Sequence, residues 1–70
     1  MLGYYLITFK SSNRAVANEA KTEKFNTRLI TVPNEIKSDC GFALKVWEKN
    51  YEEVIKIMKE EDIDGIYFYG

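Results

Sequence analysis

The chain has one residue whose type and setting stand apart: Cys40, its only cysteine, in the run Ser38-Asp39-Cys40-Gly41 just ahead of Phe42-Ala43-Leu44-Lys45-Val46-Trp47. A thiol beside a glycine, where a loop turns into a strand, is placed for approach by a ligand or a second backbone, because glycine has no side chain to block it. A lone thiol can be an accessible reactive group, or it can be packed away as a small hydrophobe. An internal thiol–disulfide switch is excluded, since it needs a second, resolving cysteine. Ser38 and Asp39 carry short polar side chains that can close a turn on their own backbone, and Lys37 is near enough in sequence to support a thiolate, with Asp39 opposing it.

Other chemistry is poorly served. The chain has no histidine, which removes Ser–His and Cys–His nucleophile pairs and any four-ligand zinc site built on Cys and His. The carboxylate pairs Glu52/Glu53 and Glu60/Glu61 are adjacent in sequence, so on a helix they do not face each other as an acid–base couple does. Asp62-Ile63-Asp64-Gly65 resembles the start of a calcium loop, but tyrosines stand where later oxygen ligands belong and no glutamate closes it. No metal and no cofactor is called for.

Seventy residues make one domain, spanning residues 1–70, and a chain of this size is only marginally able to bury a core without help from a partner. Ten basic and eleven acidic residues leave a net charge of −1, with no basic block to follow a nucleic-acid backbone. No apolar run approaches the roughly 20 residues of a membrane span. Met1-Leu2-Gly3 leads straight into a strand pattern, which leaves no room for a signal peptide, and Leu2 stands where N-myristoylation needs glycine. The expected setting is the cytoplasm, where a single cysteine stays reduced.

The elements that position Cys40 follow from periodicity. Residues 4–9 are aromatic and β-branched and predict a first strand; residues 12–25, opened by several N-cap candidates, predict a helix with Val16, Ala17, Ala20 and Phe25 on its apolar side. Residues 27–32 read as a strand ended by Pro33, followed by a polar connection to Cys40 and a third strand at 42–47. Asn50 predicts the cap of a second helix over 50–61, with Tyr51, Val54, Ile55 and Met58 at i, i+3, i+4 and i+7 and Ile57 widening the stripe. Asp64-Gly65 reads as a turn before a last strand at 66–69. The order βαββαβ is that of the ferredoxin-like sandwich, an α+β fold whose four-stranded antiparallel sheet carries both helices on one face.

If Phe42, Leu44, Val46, Ile66 and Phe68 point at the helices, then Lys45, Trp47, Tyr67 and Tyr69 point away, joined by Tyr4 and Leu6. So many rings on a face without helices predict a homodimer interface at Trp47, Tyr67, Tyr69 and Tyr4. A stacking platform for a flat ligand is the alternative, which the missing basic patch disfavours.

The chain also resembles a known family. Tyr5-Leu6-Ile7-Thr8-Phe9-Lys10-Ser11, Arg28-Leu29-Ile30, Val32-Pro33, Glu35-Ile36 and above all Ser38-x-Cys40-Gly41-x-Ala43-Leu44 are similar to the Se/S carrier protein-like family, over nearly the whole chain. Where members of that family carry arginine after the proline and serine after the isoleucine, this chain has Asn34 and Lys37. The resemblance implies that Cys40 is a carrier thiol, receiving sulfur or selenium as a persulfide or selenopersulfide, with Ser38, Gly41, Lys37, Pro33 and Glu35 around it. It implies a carrier rather than a catalyst, working between donor and acceptor proteins. The reading from a different class is a non-enzymatic ligand-sensing or protein-interaction module in which Cys40 is structural.

Overall fold

The computed structural model describes residues 3–38 and 40–70; Met1, Leu2 and Asp39, and with them the readings of the leader and of the Asp39 turn, lie outside the described residues. Four strands, β1 (Tyr4–Phe9), β2 (Arg28–Thr31), β3 (Phe42–Trp47) and β4 (Ile63–Tyr69), form one sheet in the order β2-β3-β1-β4, with every neighbouring pair antiparallel. Two helices, α1 (Ser12–Lys21) and α2 (Tyr51–Ile57), lie in the two crossovers. Side chains from both join the cluster on one sheet face, so the fold is the ferredoxin-like α+β sandwich. That cluster is built from Ile7, Phe9, Leu44 and Val46 of the central strands with Ala15, Val54 and Met58, and Cys40 belongs to it.

Four local readings are corrected. The first concerns the buried face of α1. Val16 is 53% exposed and Ala17 and Ala20 also face solvent, while Ala15, Asn18 and Thr22 are buried. Polar residues hold this position because their donors are bonded, although the Asn18 Oδ1 atom is buried with no partner among the described residues. The Asn18 amide donates to the Arg14 carbonyl at 2.8 Å and to Asp62 Oδ2 at 3.3 Å, and the Thr22 hydroxyl donates to the Asn18 carbonyl at 2.8 Å and meets Thr27 Oγ1 at 2.8 Å. Arg14 clamps the same corner through an ion pair with Asp62 Oδ1 at 2.9 Å. Ser11 is the N-cap, its hydroxyl accepting the Arg14 N–H at 3.3 Å.

The second concerns α2, which stops at Ile57. Met58 is extended (φ −81°, ψ 148°) yet still buries its side chain in the core. Ending there keeps Glu60, Glu61 and Asp62 off the negative end of the helix, where three carboxylates would be repelled. They form a separate 3₁₀ turn instead. Ile57 is exposed rather than part of the stripe, and Asn50, placed before α2, makes no side-chain cap; its amide reaches the Phe25 carbonyl at 3.1 Å.

The third is Asp64-Gly65, which lies inside β4 and is no turn. Thr8 pairs with Gly65 and Phe9 with Ile63, so Asp64 is the extra residue of a bulge. Ile63 and Ile66 are three apart, and without an added residue a period-two strand would send them to opposite faces; the bulge restores phase.

The fourth is the face without helices. The connection between β2 and β3 folds back across it, burying Ile36 against Leu6 and Ala43, with Val32, Ile30, Tyr4 and Tyr69 around them. The Ile36 N–H donates to the Pro33 carbonyl at 3.0 Å, closing the turn that drives Ile36 inward. A segment that reads as polar therefore serves as the cover of a second, smaller core.

Candidate functional site

Cys40 sits where three elements meet. Because β1 and β3 are antiparallel neighbours, the end of β1, from which α1 springs, lies beside the start of β3. The β1–β3 ladder stops at the pair Thr8–Ala43, and the next N–H of β3, that of Phe42, donates to Cys40 Sγ at 3.4 Å. On the other side Ser12 Oγ, on the first residue of α1, is 3.8 Å from Sγ. The Cys40 N–H donates to Ser38 Oγ at 3.3 Å, and Ser38 in turn reaches Asp64 Oδ2 at 3.5 Å. These contacts fix the thiol at the N-terminal end of a ten-residue helix, with one backbone donor and one hydroxyl on the sulfur.

The expectation of a solvent-reachable thiol is corrected: the Cys40 residue is only 3% exposed. Cys40 is part of the main core cluster, with Ile7, Phe9 and Ala15 among its members, rather than lying free in the loop. The cover is nevertheless thin. Ser12 is exposed, and so is Gly41, where an added Cβ would meet nothing within 4 Å.

The remaining residues named from sequence fall into two groups. Ser38 and Gly41 flank Cys40. Pro33 and Glu35 belong to the turn that covers the opposite face: the Pro33 carbonyl accepts from Ile36, and Glu35 Oε2 accepts from the Tyr69 hydroxyl at 3.2 Å. Lys37 is exposed beside Ser38 and Asp64; among the described residues the groups that meet the sulfur are Ser12 and Phe42 N–H, with no ion pair or hydrogen bond from Lys37. Ser12 was missed as a site residue, because its sequence position suggests only a helix cap. The βαββαβ order could have found it, since that topology brings the start of α1 to the start of β3.

The aromatic residues form a separate group on the other face. Tyr4 stacks on Tyr69 (5.4 Å between centroids, 7° between planes) and meets Trp47 edge-on at 6.1 Å. The Lys45 ammonium lies over both Tyr4 and Trp47, at 4.4 and 4.6 Å from the ring centroids. Tyr4, Trp47 and Tyr69 are half-buried, and Tyr67 is exposed. Partial burial and the Glu35 carboxylate raise the Tyr69 phenol above its ordinary range.

The family described as "Putative Se/S carrier protein-like" matches residues 4–69, from the first residue of β1 to the last of β4. The chain belongs to this family. No curated protein and no solved structure matches the chain. Among the described residues no helix is long and apolar enough to cross a membrane, and no cluster of three or more His, Cys, Asp or Glu side chains is placed to hold a metal ion.

Proposed function

We propose that this protein carries sulfur or selenium on Cys40, as a persulfide or selenopersulfide, between a donor and an acceptor protein. Family membership over residues 4–69, together with a single thiol in the chain, supports the reading. The observation that carries it is the placement of Cys40 Sγ at the start of α1 with the Phe42 N–H directed at it. An anionic sulfur gains from a backbone donor and from the positive end of a helix, and a terminal sulfane sulfur carries the same charge one atom further out.

Loading balances without an added oxidant. The Cys40 thiolate attacks the outer sulfur of a donor persulfide, forming the Sγ–S bond as the donor S–S bond breaks and the donor leaves as a thiolate. The outer atom takes its proton with it, and a donor bearing selenium in that position transfers it in the same way. Unloading is the reverse step on an acceptor thiol. The cover formed by Ser12 and the Gly41 side must open for either transfer.

The test is loading by a small persulfide donor, read as thiocyanate released by cyanide after the donor is removed. One sulfur per chain is expected for the native sequence and none for Cys40→Ser. A second reading rests on the burial of the thiol: with Cys40 3% exposed and part of the main core, the domain acts as a non-enzymatic interaction module with a structural cysteine. That reading predicts no loading of the native sequence.

A further inference from the structure

Ser12 carries a hydroxyl that its own helix does not need. The N-cap of α1 is Ser11, whose side chain already accepts the Arg14 N–H and whose carbonyl accepts the Ala15 N–H. Among the described residues the one polar partner of the Ser12 hydroxyl is Cys40 Sγ, at 3.8 Å. Ser12 is exposed while Cys40 is 3% exposed, so this hydroxyl links a buried sulfur to the surface. The other polar contact of the sulfur is the Phe42 N–H, at 3.4 Å.

Which atom donates depends on charge. In the neutral thiol either atom can be the donor, and 3.8 Å is a loose contact. A thiolate has no proton to give, so the Ser12 hydroxyl becomes the donor and the contact becomes charge-assisted. The same holds for a loaded Cys40. An added sulfur lies about 2 Å beyond Sγ. Set at about 60° to the Sγ–Oγ line, it comes to roughly 3.3 Å from Ser12 Oγ, within hydrogen-bonding reach of the hydroxyl.

We infer, on the carrier reading above, that Ser12 is the side-chain donor of the carrier site. Its hydroxyl holds the negative charge on Cys40 Sγ before loading and on the outer sulfur after it, as the second donor beside the Phe42 N–H. The covalent step is unchanged: the Cys40 thiolate attacks the donor's outer sulfur, the donor leaves as a thiolate, and Ser12 gives a hydrogen bond without giving up its proton.

Ser12 thus has two opposed effects on the rate. As a cover it hinders approach, but a serine side chain moves aside by rotation about one bond. As a donor it raises the share of the reactive anion near neutral pH by about ten- to hundredfold, the range for a hydrogen bond to a charged group. The stabilised anion is a weaker nucleophile by about half as much on a logarithmic scale, which leaves a net gain of roughly three- to tenfold. Donor and cover therefore predict opposite signs when the hydroxyl is removed.

Two rates near neutral pH test it, alkylation of the folded chain and loading by a small persulfide donor, each on the native sequence, Ser12→Ala and Ser12→Thr. Ser12→Ala should slow both by roughly three- to tenfold, and Ser12→Thr, which keeps the hydroxyl, should restore most of the loss. The three chains should share one urea midpoint and alkylate at one rate once unfolded, which separates the hydroxyl's action from damage to the fold. A Ser12→Ala chain that reacts as fast as the native one, or faster as removal of a mere cover requires, overturns the proposal. So does a slowed chain that Ser12→Thr fails to restore. A native chain that takes up no sulfur defeats the carrier reading, and with it the hold on an outer sulfur, while the alkylation rates still decide the hold on Sγ.

Discussion

Replacing Ile36 by alanine removes the side chain that the β2–β3 connection drives into the smaller core. Ile36 is 8% exposed and packs with Leu6 and Ala43, which are 1% and 0% exposed, so the substitution opens a cavity against two residues that cannot collapse into it. Complete burial of an isoleucine predicts a loss of about 2–5 kcal/mol; a side chain at the rim of a small face belongs at the lower end, about 2–3 kcal/mol. In a domain of this size that lowers the melting temperature by roughly 10–20 °C. Urea unfolding followed by the fluorescence of Trp47, which lies on the same face, reads the change as a lower midpoint with an unaltered slope. The same connection carries Ser38 and Cys40, so the native thiol of Ile36→Ala should alkylate faster than that of the parent chain. A loss below about 0.5 kcal/mol, the range of an ordinary surface substitution, would refute the reasoning, because the connection would then be a loop and no cover.

The buried side of α1 gives a sharp contrast: Val16→Glu should change stability by less than about 0.5 kcal/mol, whereas Ala15→Leu, which overpacks a 0% exposed site, should cost about 1–3 kcal/mol, both measured by urea unfolding. Tyr69 has its phenol raised by partial burial and then by the hydrogen bond and charge of Glu35, so its contribution to stability is full below the ordinary tyrosine range of about 10 and is lost as pH rises through the folded value. Tyrosinate absorbance should show Glu35→Gln moving that titration partly back toward the ordinary range, since burial remains; an unchanged titration would contradict the contact.

The sheet and its order were legible because Tyr4–Phe9 and Phe42–Trp47 carry strong strand patterns and Pro33 marks a boundary that no ladder crosses. What stayed hidden has physical causes. The inner face of α1 is made of Asn18 and Thr22, whose burial depends on partners such as Asp62 and Thr27 that are distant or out of helical register, so hydrophobic periodicity selects the wrong side of the helix. Ile36 is one apolar residue in a polar stretch, and no periodicity exists to mark it. The bulge at Asp64 looks like a turn because the same residue types serve both. At the site, Ser38, Cys40 and Gly41 were visible as a local run, while Ser12 comes to the sulfur through topology alone.

The most direct test of the account is the intact mass of the folded protein after exposure to a persulfide donor, taken beside an aliquot alkylated first. A carrier thiol at Cys40 predicts the mass of one added sulfur atom in the untreated sample, none in the alkylated sample and none in Cys40→Ser. A native mass that stays unchanged, with sulfur added only after the chain is unfolded, would contradict it and leave Cys40 as a packing residue of the core.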